Sequence, residues 1–165
     1  MPGDRDTPDE AGIRRYMVEA LHGVDVQELD GDSFYFYDPG GGRPVDRRLP
    51  FSTLVTGDRH DQVSDLDRPG VFRVNIGVSK RTFQELLGDD VPRTEMGGPP
   101  PPGYDFTALD TLMPHPVYGS LWWVCVLNPG PKSFETVQRL LSEAHALAAG
   151  RYERTHRGDQ TGEEP

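Results

Sequence analysis

The segment MPHPVYGSLWWVCVLNP, Met113 to Pro129, places a histidine between two prolines and three residues ahead of a tyrosine. Histidine has its ordinary pKa near neutrality, so His115 with Tyr118 forms the candidate pair for proton transfer. Flanking prolines also rigidify a turn, and a histidine can fill such a turn without reacting. A second group of chemistry-bearing residues lies in GDRHDQVSDLDRPG, where Asp58, His60, Asp61, Asp65 and Asp67 offer mixed nitrogen and oxygen ligands. Their spacing matches no divalent-metal pattern, and the segment reads as a solvated loop pinned by Arg68 to a nearby aspartate. Ser120 lacks a G-x-S-x-G elbow, Cys125 sits mid-strand, and neither a P-loop nor a dinucleotide fingerprint occurs. The sequence therefore assigns no metal and no cofactor.

The third candidate is a surface. VFRVNIGV alternates cleanly, with Phe72, Val74, Ile76 and Val78 on one face and Arg73 and Asn75 on the other. If the apolar set points inward, Arg73 offers a charge for an anion and Asn75 offers hydrogen bonds on the outer face. Hairpin parity adds Tyr35 and Tyr37 to that side. Both parities of the strand around Trp122 and Trp123 are apolar, so one tryptophan, expected to be Trp123, joins the outer face with His115 at its rim. The expected ligand-binding set is Arg73, Asn75, Tyr35, Trp123 and His115. A small molecule, the long loops or a second copy of the chain could cover such a face.

These residues need elements to hold them. Asp9 can cap a helix from Glu10 to Leu21, followed by strands Val24 to Leu29 and Ser33 to Tyr37 around DGD. PFSTLVT and VFRVNIGV give two more strands, and Ser79 caps a short helix ended by Gly88. TALDTLM is expected to make one or two helical turns before Pro114, and SLWWVCVLN to form the last strand. PKSFETVQRLLSEAHALAA is the longest helix, with Phe134, Val137, Leu141, Ala144 and Ala148 on one stripe. Residues 1–9 read as a disordered lead, 10–150 as one domain and 151–165 as a polar tail. No strand–helix–strand unit repeats, so the fold class is α+β, an antiparallel sheet with its N-terminal and C-terminal helices packed on one face.

The chain has 165 residues, enough to bury a core without metals or disulfides, and its one cysteine permits no intrachain bridge. A formal net charge of −10 disfavours nucleic acid as a partner, because neutralising phosphates with Lys and Arg supplies much of that affinity. No apolar run approaches membrane-spanning length and no leader segment opens the chain, which predicts a cytoplasmic protein with no membrane partner.

The blocks DRPGVFRVNIGVSKRTF and YDFTALDTLMPHPVYG, followed by WVCVLNP and a helix, resemble a bacterial, mainly actinobacterial, domain-of-unknown-function family. More distantly, a tryptophan-bearing strand ending near a proline before a long helix is similar to YjbR-like (MmcQ-like) proteins. That resemblance implies a frataxin-like α+β fold and suggests DNA binding, against which stand the acidic charge and the lack of an Arg/Lys stripe. The reading is a non-catalytic small-molecule or protein-binding module using the open sheet face, possible as a homodimer. The alternative is a small enzyme with His115 and Tyr118 in proton transfer on a ligand anchored by Arg73 and Asn75.

Overall fold

The computed structural model describes residues 9–41, 49–92 and 98–162, with side chains as far as Thr155. Of the segment 1–9, read from sequence as a disordered lead, residues 1–8 lie outside the described residues.

Helix α1, Glu10–Glu19, starts where the Asp9 carboxylate accepts the Gly12 N–H at 2.9 Å. Strands β1, Val24–Leu29, and β2, Asp32–Tyr37, are joined by Asp30 and Gly31 alone. Both have positive φ, 54° and 89°, which is the backbone a two-residue hairpin turn requires. Strand β3 is Ser52–Val55 and β4 is Arg73–Gly77. Helix α2, Lys80–Leu87, is capped by the Ser79 hydroxyl on the Thr82 N–H and closed by Gly88 at φ 88°.

The chain between α2 and the last strand departs from expectation. TALDTLM forms no helix. Leu109 bridges Leu127, and Asp110 takes φ 53° so that its carboxylate accepts the N–H groups of Gly130, Lys132 and Ser133. Those bonds fix the entrance to α3 and outweigh helix propensity in the TALDTLM segment. Strand β5, Met113–Pro114, then pairs with β6, Trp123–Leu127. His115 thus turns a β5–β6 hairpin and does not follow a helix. Ser120 and Leu121 belong to a single 3-10 turn, Gly119–Leu121, and Trp122 sits at φ 67°, so the last strand begins only at Trp123. Helix α3, Phe134–Gly162, runs on through the stretch expected as a polar tail.

The protein is α+β: six antiparallel strands in the order β1-β2-β3-β4-β6-β5, with N-terminal and C-terminal helices on one face. Ile13 and Met17 of α1, Phe83 of α2 and Val137, Leu141 and Ala144 of α3 pack on Leu54, Val74, Ile76, Val124 and Val126. Each of these side chains except Ala144 contributes about 1.5–3 kcal/mol when removed from water. On the opposite face Leu66 and Phe106, from the loops before β4 and β5, cover Val55, Met113, Cys125 and Leu127. The loops thus cover part of the open face and leave the rest as a concavity. Among the described residues no helix is long and apolar enough to cross a membrane.

Candidate functional site

Register decides which residues meet on the open face. One cross-strand row runs Phe34, Thr53, Asn75, Cys125, Met113, and its neighbour runs Tyr35, Ser52, Ile76, Val124, Pro114. Adjacent rows point to opposite faces. Arg73 and Asn75 therefore leave the helix side as expected, while Tyr35 goes the other way. Its ring is 1% exposed in the core beneath the helices, and burial pushes its phenol pKa up. Tyr37 packs against that core as well. Phe34 occupies the open-face position that hairpin parity predicts for Tyr35.

Trp123 reaches the open face because it pairs with Gly77, which shares the parity of Arg73 and Asn75. A Cβ on Gly77 would stand 2.9 Å from the Trp123 ring, so the missing side chain makes room for the indole. Trp122 turns to the helix side, edge-on to Phe83 with centroids 5.4 Å apart and Lys80 Nζ 5.7 Å from its ring. The left-handed backbone at Trp122 separates the two tryptophans. A bulky residue is rarely found in that conformation.

Between these residues lies a cavity of about 380 Å³. Thr53, Asn75 and Arg73 line it together with Asp61, and Phe34, Val55 and Trp123 supply apolar surface. His60, His115 and Tyr118 also border it. Leu49, Leu121 and Tyr118 are exposed at its mouth, at 81%, 61% and 41%. Four of the five expected ligand-binding residues, Arg73, Asn75, Trp123 and His115, thus line one cavity.

Arg73 does not offer a free charge there. Its guanidinium is 1% exposed and donates to both Asp61 oxygens at 3.1 and 2.7 Å, to Ser64 Oγ at 2.9 Å and to Asn75 Oδ1 at 3.0 Å. Asn75 in turn donates to Thr53 Oγ1 at 2.9 Å. Burial alone would raise the Asp61 carboxyl, but the hydrogen bonds and charge of Arg73 hold it below the usual carboxylate range. The loop carrying Asp61 is itself fixed, with Asp58 accepting the Leu66 N–H and Arg68 donating to the Ser64 and Thr107 carbonyls.

That loop accounts for the other candidate ligands. The Asp58 N–H meets Asp67, Asp65 lies 3.7 Å from Arg68, and His60 Nε2 sits 2.9 Å from Asp32. Among the described residues no three His, Cys, Asp or Glu side chains converge as a metal cluster. Asp32, 1% exposed, also accepts the Thr56 N–H. Nothing in the local sequence marks Asp32 as buried, because the partners that bury it come from residues 56–60 across the sheet.

His115 is 4% exposed. Its Nδ1 accepts two backbone N–H groups, from Val117 and Tyr118, each at 3.0 Å. Two donors converging on one ring nitrogen require a lone pair there, so the proton sits on Nε2. Burial, reinforced by the Arg73 charge and opposed by Asp61, lowers the ring pKa to about 3. His115 is thus a neutral imidazole presenting one N–H, and no acceptor among the described residues bonds that Nε2–H. Tyr118 lies over the ring, centroids 5.0 Å apart. Cys125, fully buried with its thiol pKa pushed by burial up to about 12, offers no thiolate.

The arrangement can enclose a compact molecule against aromatic and aliphatic walls and offer it polar groups, among them the His115 N–H. No curated protein and no solved structure matches the chain. One family model does, over residues 8–157, a span that holds every residue lining the cavity, and so the chain belongs to a family of unknown function, DUF6194.

Proposed function

We propose that the protein is a non-catalytic binding module that takes a small molecule into the open-face cavity. The observation that carries this reading is the cavity's combination of size and lining. About 380 Å³ falls in the range of small-molecule sites, and its mouth leaves Leu49, Leu121 and Tyr118 in water. Apolar surface kept open in this way gains free energy when a ligand covers it. A diverse fragment library tested by thermal shift, with hits mapped by NMR, checks the proposal. Hits that move the signals of Phe34, Trp123 and His115 are expected, and a ligand at about 100 times its Kd adds about 2.7 kcal/mol. A chain that gains no cavity hits, but dimerises through the Leu49 and Leu121 rim in sedimentation, would replace the small molecule with a second copy.

Proton transfer by His115 and Tyr118 is the second reading, favoured by their ring contact. It is weaker because the one basic nitrogen of His115 faces two backbone donors instead of the cavity. Arg73, its intended ligand anchor, is committed to Asp61, Ser64 and Asn75.

A further inference from the structure

We propose that the cavity selects a flat, uncharged ring compound bearing a carbonyl oxygen and discriminates against anions, an inference that rests on the small-molecule reading. Three observations converge on it. The first is the His115 Nε2–H: the ring is buried at the border of the cavity, its Nδ1 is spent on Val117 and Tyr118, and no acceptor among the described residues bonds the remaining N–H. A buried donor is costly to leave unmet, so the occupant must bring an acceptor to it.

The second is charge. The cation that sequence alone offers to an anion is Arg73, and its bidentate pairing with Asp61 neutralises it. An anion entering here would leave water for a lining that holds a carboxylate and no unpaired cation among its described residues, and burying an uncompensated charge is strongly disfavoured. A cation fares no better, since both Asp61 oxygens are held by Arg73. The third is shape. Phe34, Trp123 and Tyr118 present rings to the cavity, and ring faces favour planar partners.

Three bicyclic probes separate these features: coumarin, neutral with a carbonyl; indole, neutral without one; and naphthoate, an anion. Each is titrated at neutral pH into the full isotope-labelled chain, reading the His115 ring nitrogens and the Trp123 indole. Coumarin is expected to bind about tenfold more tightly than either of the others, a difference that one satisfied buried hydrogen bond supplies, and to shift His115 Nε2. His115→Asn keeps an oxygen that can accept the Val117 and Tyr118 N–H groups while removing the Nε2–H, and should bring coumarin down to the affinity of indole. Should that variant fail to fold, the wild-type Nε2 shift with coumarin and its absence with indole decide the matter. Naphthoate binding as tightly as coumarin, or indole matching it, would overturn the ligand class and leave the small-molecule site standing. If none of the three at millimolar concentration moves any cavity signal, the small-molecule reading falls and this inference falls with it.

Discussion

Arg73 and Asp61 form a bidentate ion pair at 2.7 and 3.1 Å in which the arginine side chain is 1% exposed and the carboxylate 9%. The strand supplies the cation and the loop 56–72 supplies the anion, so the pair ties the loop that walls the cavity to the centre of the sheet. Removing one partner of a buried pair leaves the other charge uncompensated, at a cost of about 3–5 kcal/mol. Arg73→Ala should therefore lower the melting temperature by roughly 10 °C, given about 2–4 °C per kcal/mol in a chain of this size. Arg73→Met combined with Asp61→Leu should recover most of the loss, because the apolar pair leaves no charge behind. Thermal melts of the three proteins check this, and an unchanged melting temperature for Arg73→Ala would show that the pair is not structural.

His115 makes stability depend on pH with a definite sign. Its native pKa of about 3 lies below its ordinary 6.5, so on acidification the unfolded chain takes up a proton that the native chain refuses. The contribution is fully present above about pH 6.5 and is lost as pH falls toward 3, at about 1.4 kcal/mol per unit. The lowered Asp61 carboxyl acts in the same direction, its share being lost below the usual carboxylate range. Between pH 7 and 4.5 the wild type should lose about 2–3 kcal/mol more than His115→Asn, measured by urea unfolding at both values. Equal losses would place the His115 pKa near its ordinary value.

How much of this was legible in the sequence depended on how local each signal was. The start of the helix behind Asp9, the turn at Asp30 and Gly31, and α2 between Ser79 and Gly88 are encoded within a few residues and form where the pattern puts them, although the first helix ends at Glu19 and not at Leu21. The alternation of β4 likewise places Val74 and Ile76 under the helices and Arg73 outside. Parity within one strand says nothing of its phase relative to another, however, and β2 reaches β3 across a long loop. Hairpin parity therefore predicts Tyr35 on the open face, where Phe34 stands instead. The pairing of Arg73 with Asp61 joins residues from a strand and a loop, and no spacing announces it. The strand at Met113 is hidden by Pro114, a residue tolerated on an edge strand with only one neighbour.

Asp110 starts the longest helix from outside it. Its carboxylate accepts the N–H groups of Gly130, Lys132 and Ser133 at 2.7, 3.0 and 2.9 Å, doing the work of an N-cap from twenty residues upstream. Burial would raise this carboxyl, but the Ser133 hydroxyl and those backbone donors hold it below the usual range. Asp110→Ala should cost about 1–2 kcal/mol, the usual loss of a cap, with Asp110→Asn losing less. Urea unfolding measures both, and hydrogen exchange should quicken first at Ser133 and Phe134.

Gly77 is the test of how the open face is built. Its backbone needs no left-handed conformation, so alanine would be tolerated by the strand itself, and the obstacle is the Trp123 ring 2.9 Å from the added Cβ. Overpacking of this kind costs about 1–3 kcal/mol when a neighbour has to shift. The ring must move away from Gly77, and because Trp123 lines the cavity, that movement changes the cavity wall. Gly77→Ala should therefore displace the Trp123 indole N–H signal, leave that of Trp122 in place against Phe83, and weaken every fragment that binds the cavity. Fragment affinity unchanged beside a displaced Trp123 signal would show that the indole is not part of the binding wall. A displaced Trp122 signal would mean that the left-handed turn between the two tryptophans does not insulate one face of the sheet from the other.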